Sequence, residues 1–212
     1  MKIIFTTILM SITLLNAEAQ IQKLAGPRVG VTMITPGSLS SIIRGDVSMF
    51  SDEVREEWTG STGKYGAAIT QYGWQWESRF ADGGNVTGIV EWIALVGGME
   101  KGYFLPSVSS MVGLRTDKGL EFAVGPNLSL GGIAMVFGAG YNFKFGKLNV
   151  PVNIAYVPSM NKTYNHEVKY DYVELYDEDG NDIGYEVVTP KYSVIHPTGA
   201  RISVMLGFNL SK

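Results

Sequence analysis

Seven charged residues stand inside stretches where polar and apolar residues alternate: Glu77, Arg79, Glu91, Arg115, Glu121, Lys144 and Arg201. Acids and bases that share a narrow interior either pair or relay protons and ions. Pairing is the bland outcome, because a buried charge without a partner costs several kcal/mol. Both signs are present, so an internal salt-bridge network that fixes strand register is expected. A proton or ion path is the sharper alternative. Glu77, Arg79, Glu121, Lys144 and Arg201 are assigned to that network. Arg115 shares their pattern, whereas Glu91 sits on a mixed face between Ile89 and Ile93.

Other residues offer weaker chemistry. The two histidines, His166 and His196, fall in one long polar segment with Ser203 beyond it. Acyl transfer needs a histidine within reach of a serine or carboxylate, but this spacing matches no catalytic signature. Asp177, Glu178, Asp179 and Asp182 cluster around Gly180-Asn181. Asp177, Asp179 and Asp182 form a weak Ca²⁺ candidate. The EF-hand pattern fails because its sixth position is Asp182 where glycine is required. Flanking VELY and YEVV make the string first of all a hairpin turn. Residues 161–198 hold eight acids, three bases and six of the eleven tyrosines, among them Tyr172, Tyr176 and Tyr185. Tyrosine-rich loops suit protein or glycan contact. Earlier, Ser51 precedes Asp52, Glu53, Glu56 and Glu57, which reads as a capped short helix with Val54 and Trp58 on one face. Trp58, Tyr172, Tyr176 and Tyr185 are the candidate loop-interaction residues.

Strands must position these groups. Period-two alternation recurs along the chain. Tyr72, Trp74, Trp76 and Phe80 share one face, with Gln71, Gln75, Glu77 and Arg79 on the other. Ile133, Met135, Phe137, Ala139, Tyr141, Phe143 and Phe145 alternate with small or polar residues. Eight strands are predicted, near 28–34, 67–80, 86–96, 103–115, 119–127, 132–145, 147–157 and 199–210. Their connections alternate long and short: about 30, 6, 5 and 40 residues on one side, tight Gly or Asp turns on the other. The long surface loops are 36–65 and 159–198. An outer-membrane barrel has this parity. Phe80, Phe122, Phe143, Phe145 and Phe208 would gather at the short-turn end, with Tyr103 and Tyr156 at the other. A soluble barrel or sandwich is the alternative, but eight bulky apolar faces would overfill a small lumen.

Composition agrees with export. Lys2, an apolar run from Ile3 to Leu15 and Ala17-Glu18-Ala19 form a secretory signal peptide over 1–19, leaving 20–212 as one domain. Charged residues are only 17% of the chain, and cysteine is absent, which removes disulfides, thiolate nucleophiles and Cys-ligated zinc. A net charge of −3 argues against nucleic-acid binding.

The segments GPRVGVT (26–32), QYGWQWESRF (71–80), VEWIALVGGMEKG (90–102), VGLRTDKGLEFAVGPN (112–127), VPVNIAYVPS (150–159) and GARISVMLGFN (199–209) carry a resemblance. The chain resembles the small outer-membrane β-barrel proteins of Bacteroidota-type bacteria, in the company of OmpA- and OmpX-like eight-stranded barrels. The resemblance implies location and shape, not an activity. One departure is that Phe208 lies four residues before Lys212, whereas such barrels end on an aromatic residue. The reading is therefore all-β: an antiparallel up-and-down transmembrane barrel of about eight strands in a Gram-negative outer membrane. Expected partners are membrane lipid and, through the long loops, a protein or glycan. No cofactor is expected beyond the weak Ca²⁺ candidate. The expected role is structural or surface interaction, including that of an accessory subunit of a membrane complex. A ligand-binding or transport barrel is the alternative, and a lipid-modifying enzyme ranks third.

Overall fold

The computed structural model describes residues 24–47, 58 and 60–210. The signal segment at 1–19 and the helix expected from Ser51 lie outside the described residues, apart from Trp58. Seven strands follow one another: β1 (Leu24–Ile34), β2 (Ala67–Asp82), β3 (Val86–Gly97), β4 (Leu105–Thr116), β5 (Leu120–Ser129), β6 (Gly132–Phe145) and β7 (Leu148–Val157). Each pairs antiparallel with the next. After an excursion the chain returns as β12 (Arg201–Gly207), which pairs with both β7 and β1 and closes an eight-stranded barrel. A short β13 (Asn209–Leu210) continues along β7. The expected strands are all present. β1 begins four residues earlier than the alternation suggested, at Leu24.

The excursion is itself ordered. β8 (Asn161–His166) pairs with β11 (Tyr192–Pro197), and β9 (Lys169–Val173) pairs with β10 (Tyr185–Thr189). The last loop is thus a two-part ribbon that continues the hairpin beyond β7 and β12. One expectation on the connections fails. β5 and β6 are joined by Leu130 and Gly131 alone, as tightly as the turns at the opposite end. Long and short connections therefore do not alternate throughout, although the two longest still share one end.

The side chains sort by face as the period-two pattern requires, and the sorting is inverted relative to a protein dissolved in water. Outward positions include Val29, Val31, Met33, Trp74, Trp76, Trp92, Val112, Leu114, Phe122, Val124, Phe137, Tyr141, Ile154 and Val204, all exposed. Arg28, Gln75, Glu77, Glu91, Arg115 and Glu121 are buried inside.

The long-loop end of the barrel is stoppered. Helix α1 (Ser38–Arg44) follows β1 and drops Ile43 onto Ile34, Ile69 and Leu105, with Leu39, Ala67 and Tyr103 around them. Burying an isoleucine contributes roughly 1.5–3 kcal/mol, which offsets the weak helix propensity of three serines. Ser40 Oγ accepts from the Gly37 N–H and donates to the Gly37 carbonyl, both at 2.9 Å. Gly45, at φ 79°, ends the helix in a left-handed conformation. Tyr103 is not part of an outward aromatic ring as expected. Its hydroxyl turns in and donates to the Ile42 carbonyl at 2.8 Å, while neighbouring Phe104 is exposed.

Candidate functional site

Two regions carry the polar chemistry: the lumen near the short turns, and the ribbon at the far end.

In the lumen, Arg115 is the centre. Its Nη1 and Nη2 donate to the two carboxylate oxygens of Glu77, each at 2.5 Å, and its Nε donates to Glu121 at 2.5 Å. All three residues are at most 3% exposed. Strand pairing explains the arrangement. Arg115 and Glu121 face each other across the β4–β5 hairpin, while Glu77 reaches in from β2. A second string lies beside it. Arg28 Nε donates to the Gln75 carbonyl oxygen, and the Gln75 amide donates to Glu91, both at 2.6 Å. The glutamine amide therefore links a buried cation to a buried anion. The Arg28 guanidinium lies over Gly207, where a Cβ would stand 1.0 Å from Nη1. Glycine at 207 is what admits this arginine.

A cavity of about 80 Å³ opens onto these charges: Arg28, Glu91 and Glu121 line it, together with Thr32, Asn127 and the apolar Met111. That is room for a few waters. Thr32 Oγ1 donates to Gln71 at 2.5 Å and shares a 2.7 Å hydrogen bond with Ser203.

The expected network is thus partly redrawn. Glu77 and Glu121 belong to it. Arg201 is inside but donates to Ser129 (2.8 Å) and Asn127 (2.9 Å), not to a carboxylate. Lys144 is exposed: it has inward parity, but it lies at the end of β6 by the Gly146-Lys147 turn, past the level of the buried groups. Arg79 is half-buried, next to a register shift between Arg79 and Ala81, and makes no hydrogen bond to the acids. The sequence reading passed over Arg28 and Gln75 as members, and it set Glu91 aside. Arg28 alternates with Val29, Val31 and Met33, so its parity was a usable signal. Glu91 shares its inward face with the fully buried Ile89, which made that face look mixed.

At the far end, aromatic rings stack along one side of β8–β11. His166 lies flat on Tyr192, with centroids 4.4 Å apart. His196 lies flat on Trp58 at 4.3 Å, with Tyr164 at 5.9 Å. Both histidines thus serve as stacking partners, and Ser203 lies in the lumen against Thr32. Trp58, expected as a contact residue for a partner, joins the first long loop to the last.

Beyond this stack the ribbon is open on both faces. Tyr170, Tyr172, Tyr176 and Tyr185 are each more than half exposed. At its tip Asp177 organises the turn. Its Oδ1 accepts the backbone N–H groups of Asp179 (3.0 Å) and Asn181 (2.7 Å), and its Oδ2 accepts the Asn181 amide (2.9 Å). Asp182 instead accepts the Tyr172 hydroxyl at 3.1 Å and the Gly184 N–H at 2.8 Å. Asp177, Asp179 and Asp182 do not converge, and the described residues contain no cluster of three or more such ligands suited to a metal ion. The hydrogen bonds from Asn181 hold the Asp177 carboxyl below its ordinary range. A lowered folded-state value contributes order above the ordinary carboxylate range, and that order is lost as pH falls through the lowered value. Taken against the intrinsic exchange rate at each pH, the protection of the Asp179 and Asn181 amides should therefore be present at neutral pH and fall below about pH 4, while the barrel amides stay protected. An equal fall throughout would reject this role for Asp177.

The class defined by these features is a closed, eight-stranded, antiparallel β-barrel with a stoppered lumen and a ribbon at one end. Comparison with protein-family models, curated proteins and solved structures returned no match for the chain.

Proposed function

We propose that this barrel spans an outer membrane and serves, without catalysis, as a structural or surface-interaction protein that presents the β8–β11 ribbon outside the cell. One observation carries the reading: large apolar side chains cover the outside of the barrel, while charged and polar groups, interleaved with two small apolar clusters, occupy the inside. In water that distribution costs free energy at every outward valine and tryptophan. In a bilayer it is what the solvent demands. The consecutive strands β1 to β7 run from 10 to 16 residues, and the ten-residue ones, tilted as barrels require, already span about 25 Å, close to the apolar band of such barrels. Among the described residues no helix is long and apolar enough to cross a membrane. The Glu77–Arg115–Glu121 cluster and α1 fill the lumen at two levels, which favours a wall over a channel. Among the described residues, the ribbon then offers a long run of exposed side chains.

The experiment is fractionation of the producing cells with carbonate washing, followed by gels of boiled and unboiled detergent extracts. The protein should stay in the membrane pellet, and the unboiled form should migrate differently. Recovery as a soluble monomer would overturn the proposal.

A further inference from the structure

We propose that the outer ribbon recognises a basic protein surface, reading arginine and lysine side chains on the face formed by Tyr170, Tyr172, Glu186 and Val188. The inference rests on the surface-interaction reading and names the chemistry of its partner. Register places Tyr172 directly across from Glu186, and Tyr170 across from Val188. Glu186 is therefore the direct neighbour of one ring and the diagonal neighbour of the other, which lies within about 8 Å. The two rings are 64% and 56% exposed. The Tyr172 hydroxyl is tied to Asp182, so a second carboxylate stands at the ring's edge. A cation laid on this face meets ring quadrupoles and carboxylates together.

Charge selects the occupant. Residues 169–189 hold seven acids and one base. That base, Lys169, is held 3.1 Å from Asp171. Register puts both on the opposite face with Tyr185 and Val187, so an acid there already has its cation. Among the described residues, Glu174, Glu178, Asp179, Asp182 and Glu186 have no ion-pair partner. A neutral or acidic partner would desolvate these carboxylates without compensation. A basic one supplies what they lack, and the tyrosine rings add direction to an otherwise diffuse attraction.

The test uses the full chain in zwitterionic detergent. The probe is a short peptide alternating arginine and threonine, with counterparts in which Gln or Glu replaces Arg. The arginine peptide should bind, and its glutamine counterpart should bind about tenfold more weakly or worse. Y170L/Y172L keeps side-chain bulk but removes the rings and should weaken binding about tenfold, whereas Y170F/Y172F keeps the rings and should stay within about threefold. E186Q should weaken it about threefold. Y185L, on the opposite face, should leave it unchanged. Raising ionic strength from about 0.01 M to about 0.15 M shortens the Debye length from ~30 to ~8 Å and should weaken binding. Equal binding of the glutamine peptide overturns the proposal. So does a loss in Y185L as large as in Y170L/Y172L, or tighter binding of a neutral oligosaccharide. Boiled and unboiled gels of each sample separate the two claims. A retained shift with lost peptide specificity rejects only the basic partner, while absence of the shift in the unaltered protein rejects the membrane reading.

Discussion

Replacing Arg115 by alanine is expected to destabilise the barrel by about 3–5 kcal/mol, the range for breaking a buried ion pair from one side. The size follows from what is left behind. Glu77 and Glu121 each direct carboxylate oxygens at the arginine from 2.5 Å, in a lumen where neither is more than 3% exposed. Without the guanidinium, two carboxylates face each other with no cation in contact. Removing the charges together is a different experiment. The triple variant Arg115→Met, Glu77→Gln, Glu121→Gln removes all three charges of the cluster and leaves Arg28 with Glu91, joined through Gln75. It should lie closer to the unaltered protein than Arg115→Ala does, because replacing a buried ionic cluster by neutral groups of similar volume is often nearly neutral. Denaturant unfolding of the refolded protein in lipid vesicles, followed by tryptophan fluorescence, measures both. If Arg115→Ala costs less than about 0.5 kcal/mol, as an ordinary surface substitution does, the network is not what holds this end of the barrel.

Arg115 and Glu121 were legible as inward charges, and their pairing, which the sequence analysis leaves open, had a usable signal: the two residues flank the short turn at 117–119 and alternate in phase with it. Glu77 was legible only as an inward charge. Its meeting with Arg115 depends on how strands on different sides of the closed barrel lean together, which no local pattern encodes. Lys144 shows the limit of parity. Alternation tells which face a residue takes, but depth decides whether that face is buried, and the end of β6 lies at the turn. The helix at 38–44 was not legible for a related reason, whereas the helix expected from Ser51 lies outside the described residues. The three serines of 38–44 carry little local helix signal, and the segment owes its place to Ile43 sinking among Ile34, Ile69 and Leu105. That stabilisation is tertiary, as is the Trp58–His196 stack between the two long loops.

Val124→Arg should cost about 2–4 kcal/mol in lipid vesicles, and Leu120→Arg only about 0–1 kcal/mol. The two positions form a controlled comparison. They lie on the same outward face of β5, and their exposures are 41% and 42%. Composition and accessibility therefore give a water-soluble barrel no reason to treat them differently, and both changes should then fall within about 0.5 kcal/mol. What separates them is position along the strand. Val124 lies near the middle of Leu120–Ser129, with Val112 and Phe137 as its cross-strand neighbours. Leu120 is the first residue after the short turn. Four residues at about 3.3 Å each, on a tilted strand, carry the guanidinium roughly 10 Å toward an interface. There it reaches headgroups and water by extending its stem. At Val124 the same side chain must drag water inward or give up hydration. Unfolding free energies of the two variants thus report the solvent that the wall was built for. A difference of several-fold between them would support the membrane, and equal small effects would assign the apolar wall to some other partner.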